Sequence, residues 1–70
     1  MSDTITIVLN GDPMSVAANL NVVELLATLQ IDPQRIAVER NRRVVRRQQH
    51  ATTQLAEGDE IEIVTFVGGG

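Results

Sequence analysis

Residues 60–70 read Glu60-Ile61-Glu62-Ile63-Val64-Thr65-Phe66-Val67-Gly68-Gly69-Gly70. The first eight alternate in polarity and are rich in β-branched side chains, so they predict the longest strand of the chain. We expect the isoleucines to face inward, because successive side chains of a strand point to opposite faces. The opposite face then carries four residues: Glu60, Glu62, Val64 and Phe66. A bulge that turns Phe66 into the core is the alternative.

Two strands and a hairpin are predicted at the start of the chain. Residues 4–9 alternate and are β-branched, which predicts a strand whose inward positions are Ile5, Ile7 and Leu9. The pair Asn10-Gly11 follows, and it is a strong short-range signal for a hairpin. Met14 and Val16 continue the alternation in a return strand, and Pro13 indicates that this strand lies at a sheet edge or starts there.

A helix with clear N-terminal capping signals is predicted after the hairpin. Asn21 is the predicted N-cap, and Glu24 completes a capping box. Leu20 and Leu25 are placed to form a hydrophobic staple. The apolar face of the helix consists of Val22, Leu25, Leu26 and Leu29. Asp32-Pro33 predicts its end, because a residue before proline avoids the α region.

The remaining elements complete one small domain. Residues 36–38 and 44–45 predict two short strands around a turn at 41–43, and residues 46–57 predict an irregular segment anchored by Leu55. The order is therefore ββαβββ, an α+β chain with one helix packed on a mixed sheet. A central last strand beside the first gives the β-grasp (ubiquitin-like) arrangement. We expect a single domain over residues 1–67 and a flexible glycine tail over 68–70.

Composition excludes several classes of protein. The chain has 70 residues and a formal net charge of −3, which leaves room for one small core and no deep catalytic cleft. It has no cysteine and no lysine, so disulfides, thiolate metal sites, cysteine nucleophiles and Schiff bases are excluded. No apolar run is long enough to span a membrane and no signal peptide is visible, so we expect a cytoplasmic protein. With no cysteine, no lysine and a single histidine, His50, the chain is not expected to be an enzyme.

The charged residues are segregated along the chain. All six arginines lie between Arg35 and Arg47, and we expect them to form a solvated face, with a partner contact as the alternative. An RNA-binding module that uses this stretch is a different class of function, although stacking aromatics are absent. Glu60 and Glu62, with Asp59, are placed to guide a basic partner. We expect no metal site there, because strand neighbours alternate faces, and we place His50 in a surface loop.

The glycines after Val67 suggest chemistry at a carboxyl terminus. Glycine is costly to order and contributes no packing, but four extended residues reach about 13 Å into a narrow channel without side-chain clashes. Such a tail delivers the α-carboxylate of Gly70. Adenylation by ATP would make this group an acyl phosphate, and attack by a sulfur nucleophile would yield a thiocarboxylate. Such a carrier needs no cysteine of its own.

The same residues carry a resemblance that covers essentially the whole chain. The matching stretches are Val8-Leu9-Asn10-Gly11, Val22-Val23-Glu24-Leu25-Leu26, Ile36-Ala37-Val38-Glu39, Gly58-Asp59-Glu60-Ile61-Glu62-Ile63-Val64 and Phe66-Val67-Gly68-Gly69-Gly70. They resemble the ubiquitin-like sulfur carriers of thiamine biosynthesis. Two positions depart from that family: Arg42 stands where a glycine is common, and Arg46 where a proline is common.

The resemblance implies a reaction cycle with three partners. An adenylating (activating) enzyme uses ATP and Mg²⁺ on the Gly70 carboxylate, and a cysteine desulfurase route supplies the sulfur. Thiazole synthase then takes the sulfur for the thiazole ring of thiamine. Gly68 and Gly69 form the tail, the expected docking residues are Val64, Phe66, Val67, Glu60 and Glu62, and no bound cofactor, nucleic acid or membrane is expected. The alternatives are the small subunit of molybdopterin synthase and another ubiquitin-like sulfur carrier.

Overall fold

The structure of the protein, a computed structural model, describes residues 3–66. Its elements in chain order are β1 (Thr4–Leu9), β2 (Asp12–Ala17), α1 (Val22–Thr28), a 3₁₀ helix (Pro33–Arg35), β3 (Ile36–Arg40), β4 (Arg43–Val45), a second 3₁₀ helix (Arg47–Thr52) and β5 (Glu60–Thr65). The predicted order ββαβββ is confirmed. β5 is shorter than the predicted span 60–67, because its ladder with β3 ends at Thr65.

One five-stranded sheet in the order β2-β1-β5-β3-β4 forms one layer of the fold. β1 and β5 run parallel, whereas the β1–β2, β3–β5 and β3–β4 pairs are antiparallel. β5 therefore lies at the centre of a mixed sheet, beside the first strand. This is the β-grasp arrangement that the element order predicted.

The first hairpin turns at Asn10-Gly11, as predicted, with positive φ angles of 48° and 88°. Both central residues of a type I′ turn need such angles, and Asn-Gly meets that need at little steric cost. β2 is an edge strand, and Pro13 lies opposite Val8 in its register. The Val8 amide donates to the Asp59 carbonyl on the other side of β1. Pro13 therefore lies at a pair that needs no donor from β2.

The helix begins as predicted and ends earlier than predicted. Asn21 Oδ1 accepts from the Glu24 amide, and Glu24 Oε1 accepts from the Asn21 amide, so the capping box is complete. The predicted end at Asp32-Pro33 is wrong: α1 ends at Thr28, Leu29 is its C-cap, and Gln30 has a φ of 58°. A residue in the left-handed region ends a helix without needing a proline.

The core lies between α1 and one face of the sheet. Its buried apolar residues are Ile7, Val16, Val22, Leu25, Leu26, Ile36, Val38, Leu55 and Ile61. Ile7 and Ile61 come from the predicted inward positions of β1 and β5, and Val16 from the predicted alternation of β2. The helix residues come from the predicted apolar face, with Leu29 packed at the margin, and Leu55 is the predicted anchor. The sequence did not predict which residues of β3 face inward, and the structure places Ile36 and Val38 there. With no disulfide among these residues, their packing carries the stability of the fold.

The segment between β4 and β5 differs from the prediction in two ways. Residues 46–57 were predicted to be irregular, but Arg47–Thr52 form a 3₁₀ helix. His50 was predicted in a surface loop, which is wrong, because it is only 4% exposed. Its Nε2 lies 3.2 Å from the Val45 carbonyl oxygen. A ring nitrogen bonded to the backbone explains how a histidine is buried there.

Candidate functional site at the end of the central strand

β5 carries the chain from the centre of the sheet to the predicted glycine tail. Its last ladder residue is Thr65, and the Phe66 amide still donates to the Arg35 carbonyl over 2.9 Å. The predicted reactive group at Gly70 and the tail residues Gly68 and Gly69 lie outside the described residues, as does the docking residue Val67. The part of the site that can be described is therefore the strand that leads to the tail.

The two faces of β5 differ as predicted. Ile61 is fully buried and Ile63 is half-buried. On the opposite face Val64 is 53% exposed and Phe66 is 58% exposed. The ladder to β3 runs without a bulge from Ile61 to Thr65, so the alternative that placed Phe66 in the core is wrong. The exposure of this apolar pair is confirmed, and its role in docking stays a prediction.

Carboxylates adjoin this apolar pair. We call the solvent-facing side of the sheet the outer face; it is formed here by Glu39, Val44, Glu60, Glu62, Val64 and Phe66. Glu39 lies directly opposite Glu62 in the antiparallel register, and Val44 lies opposite Glu39. Like charges in that relation destabilise a sheet. The sequence pattern missed Glu39, because strand register cannot be read from one strand.

A buried carboxylate holds the start of β5. Asp59 is 6% exposed and accepts three hydrogen bonds: from Arg40 Nε (2.8 Å), Asn41 Nδ2 (3.1 Å) and the Ala56 amide (2.8 Å). Burial raises the pKa of Asp59, but the bonds from Ala56, Asn41 and Arg40 and the charge of Arg40 outweigh it and hold the pKa below its ordinary value. Asp59 thus ties β5 to the end of β3.

Two asparagines in hairpin turns clamp β5 from both sides. Asn10 Oδ1 accepts from the Ile63 amide over 2.9 Å, and Asn41 Oδ1 accepts from the Glu60 amide over 2.9 Å. Both residues have positive φ angles, a conformation that asparagine tolerates well. The sequence predicted both turns, but it held no signal for the bonds to β5, which depend on tertiary contacts.

The arginine stretch is divided between solvent and the sheet. Arg35 and Arg42 have side chains that are 82% and 88% exposed, as predicted for a solvated face. Arg42 Nε lies 3.9 Å from Glu60 Oε1 at the border of the outer face. Arg40 departs from the prediction, because it pairs with the buried Asp59. The stretch is therefore not one uniform basic surface.

Residues 3–66 include no metal-binding cluster and no membrane-spanning helix. No group of three or more His, Cys, Asp or Glu side chains in this range is arranged to hold a metal ion. No helix in it is long and apolar enough to cross a membrane. The cytoplasmic location stays a prediction.

The comparison with known proteins decides the family. The model of the ThiS family matches residues 7–70, almost the entire chain. The chain belongs to the ThiS family. This confirms the resemblance to the ubiquitin-like sulfur carriers of thiamine biosynthesis.

Individual relatives agree with this membership. The sulfur carrier protein ThiS of Bacillus subtilis is 39% identical over 49 residues, which cover 70% of this chain and 74% of that protein. The crystal structure of the thiamine biosynthesis protein ThiS from Geobacter metallireducens has a TM-score of 0.84 and 36% identity, covering 94% of this chain and 100% of that one. The ubiquitin-like β-grasp fold of the ThiS family is thus confirmed.

A third relative is larger than the ThiS proteins. Thiazole synthase of Paramagnetospirillum magneticum is 39% identical over 64 residues, or 91% of this chain. The chain spans only 20% of that synthase. A ThiS-like region therefore occurs within the same polypeptide as a thiazole synthase.

Proposed function

We propose that the protein is a co-substrate, not an enzyme, and that its Gly70 carboxylate carries sulfur as a thiocarboxylate. The observation that carries this proposal is the ThiS family match through residue 70, which includes Gly68, Gly69 and Gly70. β5 leads directly into this tail. The family match also favours thiamine biosynthesis over the small subunit of molybdopterin synthase.

The proposed chemistry takes place on partner enzymes. A Gly70 carboxylate oxygen attacks the α-phosphorus of ATP, with Mg²⁺ on the activating enzyme, and pyrophosphate leaves. Sulfide then attacks the acyl carbon and AMP leaves. Where a cysteine desulfurase route delivers the sulfur as a persulfide, the attack gives an acyl disulfide, and a thiol must reduce its S–S bond to release the thiocarboxylate. The product is a thiocarboxylate whose sulfur is nucleophilic. The chain itself has no cysteine, so no internal thiol competes for the activated acyl group.

Thiazole synthase is the proposed acceptor of the sulfur. The relative that joins a ThiS-like region to a thiazole synthase supports this pairing, because one polypeptide keeps the two parts at high effective concentration. The outer face offers an apolar pair, Val64 and Phe66, beside three carboxylates, Glu39, Glu60 and Glu62. Such a surface fits a partner with an apolar pocket and a basic rim.

The test is the intact mass of the chain after incubation with an activating enzyme, ATP, Mg²⁺ and sulfide. We expect the mass change for one oxygen exchanged for sulfur, and we expect no change when ATP is omitted. A variant with one alanine added after Gly70 should keep its fold and lose the mass change, because its terminal carboxylate is displaced. A control with one alanine added before Met1 should react normally. Sulfur transfer to the variant extended after Gly70 would overturn the proposal.

A further inference from the structure

The second half of β5 has a neighbouring strand on only one side. β1 pairs with β5 at just two positions, Val8 with Glu60 and Leu9 with Ile61. The chain then turns away at Asn10-Gly11, whereas β5 continues along β3 to Thr65. The side of β5 that faced β1 is therefore an internal edge of the sheet from Ile63 onward.

Backbone bonding along β5 alternates between its two sides. Glu60 accepts from the Asn41 amide, and Phe66 donates to the Arg35 carbonyl, so the even-numbered residues bond toward β3. The backbone N–H and C=O groups of the odd-numbered residues are directed toward β1. The Ile61 carbonyl accepts from the Asn10 amide, and the Ile63 amide donates to Asn10 Oδ1. Beyond that point no group within residues 3–66 bonds to the Ile63 carbonyl or to the Thr65 amide and carbonyl.

This internal edge is accessible. Val64, Thr65 and Phe66 are exposed, and a Cβ added at Gly11, in the turn that borders the edge, would meet nothing within 4 Å. Unpaired backbone groups on an exposed edge are a template for another strand. Strand addition draws its affinity from main-chain hydrogen bonds and its specificity from alternate side chains, and here the alternate side chains are Val64 and Phe66.

We infer that thiazole synthase adds an extended segment to β5 at this internal edge, beside Ile63 and Thr65. The inference rests on the proposed function. Residues 68–70 are glycines and have no side chains for an enzyme to bind, so hydrogen bonds to the backbone of the chain must supply much of the recognition near the tail. Pairing at Thr65 fixes where the tail starts and in which direction it points. The occurrence of both parts in one relative makes the synthase the occupant that the comparisons favour.

Amide hydrogen exchange measured by NMR tests this on the ¹⁵N-labelled full chain, alone and with thiazole synthase. We expect exchange at the Thr65 amide to slow at least about tenfold in the complex. The Val64 amide is the internal control, because it points toward β3 and is bonded in both states. A complex in which Thr65 exchanges at its free rate overturns the inference. So does slow exchange in the free chain, which would mean that the Thr65 amide is already protected without the synthase.

A substitution gives a second readout. Thr65→Pro removes the amide that faces the internal edge and leaves the bonds to β3 in place, since edge strands accept proline where no donor is needed. We expect binding to thiazole synthase to weaken about tenfold relative to Thr65→Ala, which keeps the amide. Equal affinities overturn the inference. If Thr65→Pro does not fold, the exchange measurement decides.

Failure of this inference is distinguishable from failure of the proposed function. A chain that gains sulfur at Gly70 and binds the synthase with Thr65 unprotected remains a sulfur carrier without strand addition. A chain that forms no complex with the synthase overturns the strand addition, and the intact-mass test then decides the carrier function separately.

Discussion

Arg40 donates from Nε to Oδ2 of the buried Asp59 over 2.8 Å, and this ion pair joins the end of β3 to the residue before β5. The same carboxylate also accepts from Asn41 and from the Ala56 amide. β5 carries the exposed pair Val64 and Phe66 and leads to the glycines. The position of the candidate site therefore depends on a buried charge at the opposite end of the strand.

Replacing Asp59 should destabilise the fold. Asp59→Asn keeps the size of the side chain, but it removes the charge that faces Arg40 and cannot reproduce all three bonds. We expect the free energy of unfolding to fall by about 2 kcal/mol, because buried donors that lose a charged acceptor are costly. Urea unfolding of the two proteins measures this.

The matched control for this prediction is Asp12→Asn. Asp12 is exposed on the edge strand β2, so the same change of charge should alter stability by less than about 0.5 kcal/mol. Equal losses in the two variants would mean that net charge, and not the Asp59 bonds, accounts for the effect.

The lowered pKa of Asp59 predicts acid sensitivity. Since the folded chain holds this pKa below the unfolded value, the unfolded state binds the proton more readily as the pH falls. The stabilisation is fully present above the unfolded pKa and is lost as the pH falls toward the folded one. Between about pH 6 and pH 3 the melting temperature should therefore fall more for the natural chain than for Asp59→Asn. Parallel curves would show that other carboxylates dominate.

Local sequence signals predicted the elements of this fold well. The capping box at Asn21 and Glu24, the Asn10-Gly11 turn and the alternation of β5 each depend on neighbours along the chain, so one sequence is enough to find them. The end of α1 was missed because Gln30 adopts the left-handed conformation, which ends the helix before the chain reaches Pro33.

The candidate site was predicted only in part. The exposure of Val64 and Phe66 follows from alternation within one strand. Other features depend on how segments that are distant in sequence pack together, and no pattern within a single element predicts such packing. These features are the opposition of Glu39 and Glu62, the bonds to Asp59 and the burial of His50. The internal edge of β5 was missed for the same reason, since it depends on where β1 ends beside β5.

The β3–β4 turn contains a strained arginine. Arg42 has a φ of 72°, in the left-handed region, which costs a non-glycine residue roughly 1 kcal/mol. Arg42→Gly should therefore raise the free energy of unfolding by about 0.5 kcal/mol, after allowance for the greater freedom of glycine in the unfolded chain. The exposed contact with Glu60 that is lost contributes little. Chemical unfolding measures the change.

The neighbouring residue supplies the control. Asn41 also has a positive φ, of 52°, but its side chain bonds to Asp59 and to the Glu60 amide. Asn41→Gly should therefore lower stability by about 1 kcal/mol or more. Two adjacent substitutions to glycine should thus have opposite signs, and a shared sign would contradict this account of the turn.

Phe66 should matter more for binding than for folding. Since it is 58% exposed, Phe66→Ala should change the free energy of unfolding by less than about 1 kcal/mol. Binding to thiazole synthase should weaken about tenfold, because exposed aromatic side chains often anchor an interface. Calorimetric unfolding and titration with the synthase measure the two effects.

A second exposed apolar residue serves as the comparison for Phe66. Val23 is 48% exposed on α1, away from the outer face. Val23→Ala should leave binding to the synthase unchanged. A large loss of stability in Phe66→Ala, or an equal loss of binding in Val23→Ala, would remove the support for docking through Phe66.

The opposed carboxylates Glu39 and Glu62 should reduce stability and speed association. Glu62→Gln removes a like-charge contact across β3 and β5, so the free energy of unfolding should rise by a few tenths of a kcal/mol. Glu62→Gln should also associate more slowly with thiazole synthase at low salt, and its association rate should depend less on ionic strength. Stopped-flow binding at several salt concentrations measures the association rate.

Asp12→Asn again provides the control, since it removes one negative charge from the edge strand and not from the outer face. If both variants slow association equally, steering depends on total charge alone, and the outer face has no special role. If only Glu62→Gln slows association, the opposed pair increases the rate of partner binding at a cost in stability. In that case the opposed carboxylates of Glu39 and Glu62 lower the free energy of unfolding and raise the rate of association with the partner.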